Sequence, residues 1–186
     1  MVTIVSLWVP IVLSAVIVFV ASSILHMVMT YHKGDYRKLP DEDAVLNVMR
    51  EKQIAPGFYA FPHHSGSKEM KSPEMIEKFK RGPVGFVTLV PSGPPAIGKY
   101  LSLWFGFCIL IGVFVAYLTG RTLSVGTPYL AVFRVAGTVA FMGYGVGHVV
   151  NSIWMGQPWS STLKHMFDGF VYSLLTAGTF GWLWPR

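Results

Sequence analysis

Charge is what this chain has least of. Only 13% of its 186 residues are Asp, Glu, Lys or Arg, against roughly 25% in an ordinary soluble domain. Cysteine is nearly absent: Cys108 stands alone, so no internal disulfide forms and nothing points to an oxidising compartment. There is no C-x-x-C pair, no H-E-x-x-H, no internal repeat and no low-complexity tract. Residues 4–29 contain no charged side chain at all. These absences exclude a disulfide scaffold, a disordered chain and a collagen-like one. What is abundant is apolar sequence, 52% of the chain, gathered into long runs. The composition reads as a polytopic membrane protein.

The net charge of +6 does not signal nucleic-acid binding. Residues 30–98 hold ten of the fifteen Lys/Arg and eight of the nine acids. Their signs alternate instead of forming a basic stripe, as a nucleic-acid footprint requires. Basic residues flanking apolar runs suit an anionic membrane surface better.

A helix rises about 1.5 Å per residue, so crossing a hydrocarbon core takes roughly 20 apolar residues. Four stretches meet this: about Ile4–Met29, Tyr100–Leu118, Tyr129–Val150 and Leu163–Trp184. The expected fold is therefore an all-α integral-membrane bundle of four transmembrane helices. Residues 1–29 form the first, 30–98 a loop module, and 99–186 the other three. The first run lacks a basic leader and is long for a signal peptide, so it reads as an uncleaved anchor. With the N-terminus outside, Lys33, Arg37, Lys38, Lys80, Arg81, Lys99 and Lys164 fall on the cytoplasmic side. Arg121 and Arg186 fall on the outer one. That asymmetry predicts both termini outside and residues 30–98 in the cytoplasm. Trp8, Trp182 and Trp184 then mark the outer interface, and Trp154 and Trp159 the inner.

Within the loop module, Asp41–Asp43 and Arg50/Lys52 complement the dipole of one short helix. Ser72, Pro73 and Gly82-Pro83 cap and stop a second. Phe58–Phe61 and Phe86–Val90 read as strands able to pair into a ribbon, which is marginal alone.

Run in those directions, the spans bring His26, His148, Asn151, His165 and Asp168 to one depth near the cytoplasmic end. Tyr144, His148 and Asn151 share a helical face by spacing, as do His165, Asp168 and Tyr172. Ionisable groups in a span usually face the bundle interior and mark function. One reading is a site, either a proton or redox group or a metal or haem centre using His26, His148, His165 and Asp168. The other is a hydrogen-bonded cluster that locks the helices together. Either way His148 and Asp168 are expected in contact, directly or through Asn151 or a water, with Tyr144 or Tyr172 beside them. Arg134 lies about 21 Å of helix rise from His148. It reads as snorkelling to outer headgroups, or as meeting a partner carboxylate or an anionic ligand. Gly143 and Gly147 form a G-x-x-x-G pair suited to close helix packing.

The strings YHKGDYRKLPDEDAVL (31–46), RGPVGF (81–86) and FDGFVYSLLTAGTFGWLWP (167–185) resemble a group of uncharacterised bacterial four-span integral-membrane proteins. The resemblance implies a bacterial cytoplasmic (inner) membrane and no particular activity or cofactor. The functional expectation is an accessory or scaffold subunit of a larger membrane complex, its partners being the lipid bilayer and other subunits or further copies of itself. The alternatives are a small redox or metal/haem-binding protein built on the His/Asp cluster, and an oligomeric small transporter.

Overall fold

The computed structural model describes residues 2–186, is mostly helical, and divides into two compact units. The first comprises residues 2–35, 96–152 and 157–186. Its helices are α1 (Trp8–Ser23), α5 (Ile97–Thr122), α6 (Tyr129–Tyr144) and α8 (Trp159–Trp182), with the first four residues of the short α7 (Val149–Trp154) following α6. Leu7, Val18, Val115, Val132 and Phe180 are fully buried at its centre. The most extensive interface joins α6 to α8. Small residues allow that approach: Ala136 and Ala140 on α6, Gly169 and Ala177 on α8.

Val5–Val28, Ile97–Thr122 and Tyr129–Trp154 are long and apolar enough to cross a membrane. Their outward faces stay apolar, as Val12, Val16 and Val20 do along α1, which is what lipid contact asks for. These three helices suggest a membrane protein. The fourth expected span, α8, is not among them, because it carries Lys164, His165 and Asp168. Its 24 residues still rise about 36 Å, and it has more buried positions than any other helix. A helix wrapped by protein has less need of apolar side chains than one wrapped by lipid.

The G-x-x-x-G reading holds at one glycine only. A Cβ on Gly143 would lie 2.5 Å from Ile111 Cδ1 of α5, whereas one on Gly147 would meet nothing within 4 Å. The reason is a break in the helix. After Tyr144 the chain makes a 3₁₀ turn at Val146–His148 before α7 begins, so helical spacing counted from Gly143 no longer predicts facing beyond it.

The second unit holds residues 36–95 with 153–156. It contains α2 (Glu42–Glu51), α3 (Ser67–Met70), α4 (Pro73–Arg81) and the antiparallel ribbon of β1 (Gly57–Phe61) and β2 (Gly85–Leu89). Phe58 pairs with Thr88 and Ala60 with Phe86 in its register. Ser72 caps α4 by accepting from the Met75 amide at 3.2 Å, as its position before Pro73 foretells. The boundary differs from that expected at residue 30: Tyr31–Asp35 group with the helices of the first unit.

Candidate functional site

The site lies in the first unit and is assembled from the two ends of the chain. On α8, His165 and Asp168 stand one turn apart. Opposite them α1 widens into a π turn at Ile24–Val28, closed by the Met29 amide on the Ile24 carbonyl. Met29 is extended, and a 3₁₀ turn at Tyr31–Gly34 follows. The π turn carries His26, and the 3₁₀ turn carries Tyr31 and His32.

Asp168 is the focus, with only 3% of its side chain exposed. Three imidazoles converge on its Oδ2: His32 Nε2 at 2.8 Å, His26 Nε2 at 3.8 Å and His165 Nδ1 at 3.9 Å. The other oxygen, Oδ1, accepts a hydrogen bond from the Tyr31 hydroxyl. The rings of His26 and His32 stack with centroids 4.5 Å apart, and those of His32 and His165 at 5.1 Å.

A second ring of partners fixes these groups. His32 Nδ1 lies 2.6 Å from Asp35 Oδ2. Asp35 Oδ1 in turn accepts from Lys164 Nζ at 2.7 Å and Ser161 Oγ at 2.9 Å. Lys164 also donates to the Tyr31 carbonyl, tying the 3₁₀ turn to α8. His26 Nδ1 sits 3.1 Å from the Ser22 carbonyl. The Lys164 hydrogen bond, helped by those from His32 and Ser161, holds the Asp35 carboxyl well below the usual carboxylate range. Burial, reinforced by the Asp168 hydrogen bond, pushes the Tyr31 phenol well above its ordinary value.

Those partners decide the protons. An ionised Asp35 and a backbone carbonyl only accept, so Nδ1 of His32 and of His26 must donate. In a neutral imidazole this leaves the Nε2 lone pairs of both rings facing Asp168. At 2.8 Å a lone pair and a carboxylate oxygen repel unless a cation lies between them. That cation is either a proton shared between the two groups or a metal ion. Among the described residues, His26, His32, His165 and Asp168 form the one group of its kind, with ligand atoms within 4.8 Å of one another.

Beside the cluster is a cavity of about 590 Å³. Its walls are the rings of Trp104, Phe107, Tyr144 and Tyr172, with His148, His165 and Asp168 at its polar end. Trp104 is fixed by donating Nε1–H to Ser22 Oγ at 2.8 Å. Tyr172 is 4% exposed, and its hydroxyl has no hydrogen-bond partner among the described residues.

Of the residues expected from sequence, the structure brings His26, His165 and Asp168 together. His148 stacks on His165 at 5.0 Å and borders the same cavity as Asp168, with no ion pair between the two within 4.0 Å. Asn151 bridges nothing there; its backbone carbonyl accepts from Gln157. Tyr144, His148, Asn151 and Tyr172 instead border the cavity. Arg134 is exposed and makes no ion pair among the described residues. Sequence spacing misses Tyr31, His32 and Asp35, which lie past the first span. One signal was available: H-x-x-D occurs twice, at 32–35 and 165–168, and both copies meet here.

Comparison of the chain with protein-family models, curated proteins and solved structures returns no match. The functional reading therefore rests on the geometry of these side chains.

Proposed function

We propose that this chain is a four-span protein of the bacterial cytoplasmic membrane that binds a divalent transition metal at His26, His32, His165 and Asp168. The observation that carries the reading is the convergence of three imidazole nitrogens, from His26, His32 and His165, on one oxygen of Asp168. Three imidazole nitrogens and a carboxylate oxygen match the donor set of a four-coordinate zinc site. The outer partners match as well. Metal-bound histidines almost always give their other N–H to a carboxylate or carbonyl, as His32 does to Asp35 and His26 to Ser22. Tyr31 occupies only Oδ1 of Asp168, so Oδ2, the oxygen facing the three imidazoles, is the one that would meet the ion.

The test is the metal content of protein purified in detergent and reconstituted with zinc, iron or manganese. One ion per chain is expected, lost in His32→Ala. In Asp35→Asn it should bind about 10–100-fold more weakly, as outer-partner substitutions usually do. Protein that stays metal-free after reconstitution would make the cluster a proton-held network, with His32 as an imidazolium between two carboxylates.

The topology belongs to the same proposal: four spans including α8, both termini outside and residues 30–98 cytoplasmic. The Lys/Arg asymmetry supports it. With Cys108 replaced by alanine and Ala60 by cysteine, a membrane-impermeant maleimide should label only after cells are opened. Labelling of intact cells would reverse the orientation.

A second reading, as an accessory subunit of a membrane complex, is supported by one feature of the second unit. Phe58 and Phe86 stack face to face at 5.6 Å, yet are 59% and 43% exposed. An aromatic pair left uncovered on a two-stranded ribbon suits a protein partner, either another subunit or a further copy of this chain.

A further inference from the structure

We infer that the aromatic-walled cavity binds a membrane-soluble quinone, or a molecule of that class: a neutral planar ring carrying hydrogen-bond-accepting oxygens. The inference rests on the cavity and not on the metal. A volume of about 590 Å³ is that of a small-molecule site. Four rings supply its walls, with centroids of neighbouring pairs 5.6–6.2 Å apart: Trp104–Phe107, Trp104–Tyr144, Trp104–Tyr172, Phe107–Tyr144 and Tyr144–Tyr172. Such walls favour a flat ring, offset or edge-on, over an alkyl chain.

The polar groups say which ring. Trp104 Nε1 is already taken by Ser22, and Asp168 is taken by Tyr31 and His32. Tyr172 lines the cavity, and its buried hydroxyl has no hydrogen-bond partner among the described residues; pairing with an acceptor on the ligand would relieve the cost of burying it unpaired. His148 and His165 bring further ring nitrogens to the same end. A cationic ligand is disfavoured, because the one carboxylate there is already shared among three imidazoles and a phenol. A quinone carbonyl is the simplest oxygen that fits.

The route in also points to the membrane. Met27 and Leu101 line the cavity and are 80% and 42% exposed, at the end of one membrane-compatible helix and the start of another. An opening between two lipid-facing apolar side chains admits a molecule dissolved in the bilayer more readily than one dissolved in water.

The test titrates decylubiquinone and 2-methyl-1,4-naphthoquinone into the detergent-purified full chain while tryptophan fluorescence is followed. Saturable quenching is expected, with most of its amplitude lost in Trp104→Phe. Tyr172→Phe keeps the shape and removes the donor, and should weaken binding about tenfold, the worth of one well-made hydrogen bond. A second variant guards against misfolding at Tyr172. Gly147 borders the cavity and a Cβ there meets open space, so Gly147→Leu should block the ligand while leaving the thermal midpoint unchanged. Non-saturable quenching overturns the inference, as does equal affinity in Tyr172→Phe and Gly147→Leu. Displacement by palmitate as effective as that by a second quinone would assign the cavity to an acyl chain and likewise overturn it.

Discussion

Asp168→Ala is expected to lower the thermal midpoint of the detergent-purified protein by about 6–12 °C. The carboxylate is buried and serves Tyr31, His32, His26 and His165 at once. Two effects oppose each other on its removal. Deleting a buried carboxylate relieves its desolvation, which for a spanning α8 would be about 2.5–3.5 kcal/mol at the bilayer centre and less near an interface. Removing one partner of a buried pair strands the others, at about 3–5 kcal/mol. Asp168 is already desolvated and fully partnered, so the second effect wins by the larger number of groups left unpaired. The roughly 3–5 kcal/mol figure is already net of the relieved desolvation, and its lower end, about 3 kcal/mol, gives the quoted shift at about 2–4 °C per kcal/mol for a chain of this size. Glu69→Ala is the control, because Glu69 is exposed and accepts only a local bond from the Ser65 amide. Surface changes of that kind stay within about 0.5 kcal/mol. Equal midpoints for the two variants would remove the cluster from any structural or ligand-holding role.

Gly169→Ala should be at least as damaging, although it adds a single methyl group. A Cβ there would stand 2.6 Å from Gly145 Cα, 2.7 Å from Gly145 N and 2.8 Å from the Tyr144 carbonyl carbon. All three are backbone atoms, so no rotamer change makes room. Optimal carbon contacts are about 3.5–4.0 Å, which means α6 and α8 must part by about 1 Å along their main interface. Overpacking costs about 1–3 kcal/mol, and more where backbone must move. The neighbouring Asp168 would move with the helix, so the metal binding proposed above should weaken too. Gly178→Ala is the internal comparison: its Cβ would meet only Tyr129 Oη, at 3.7 Å. There the helix propensity gained, about 1 kcal/mol, should leave the midpoint level or higher. A Gly169→Ala protein as stable as the Gly178→Ala one would show that the two helices are not packed as described.

What could be read from the sequence depended on how local its physics is. The three apolar helices were legible because lipid leaves helix as the economical way to satisfy a backbone. The α4 helix was legible because Ser72, Pro73 and Gly82 act within one turn of its ends. The ribbon was legible because residues 58–61 are aromatic-rich and residues 86–89 mix an aromatic with β-branched side chains, and both form its strands. In the site, His26, His165 and Asp168 were found because a polar group inside an apolar run is conspicuous. His32 was not, because it sits in a polar stretch where a histidine stands out from nothing. Only the 3₁₀ turn at Tyr31–Gly34 brings it back over α8. His148 reaches the same cavity as Asp168 through a 3₁₀ turn that helical spacing does not foresee.

The closeness of His32 to Asp168, 136 positions later in the chain, also sets a timetable. At about 5–20 residues per second, a ribosome needs roughly 7–27 s to travel from one to the other. Through that interval the nascent chain displays His26 and His32 with no carboxylate from α8 to meet them. The four side chains can share a proposed ion only once α8 has entered the bundle, and a product stalled before α8 would keep two of the four, His26 and His32.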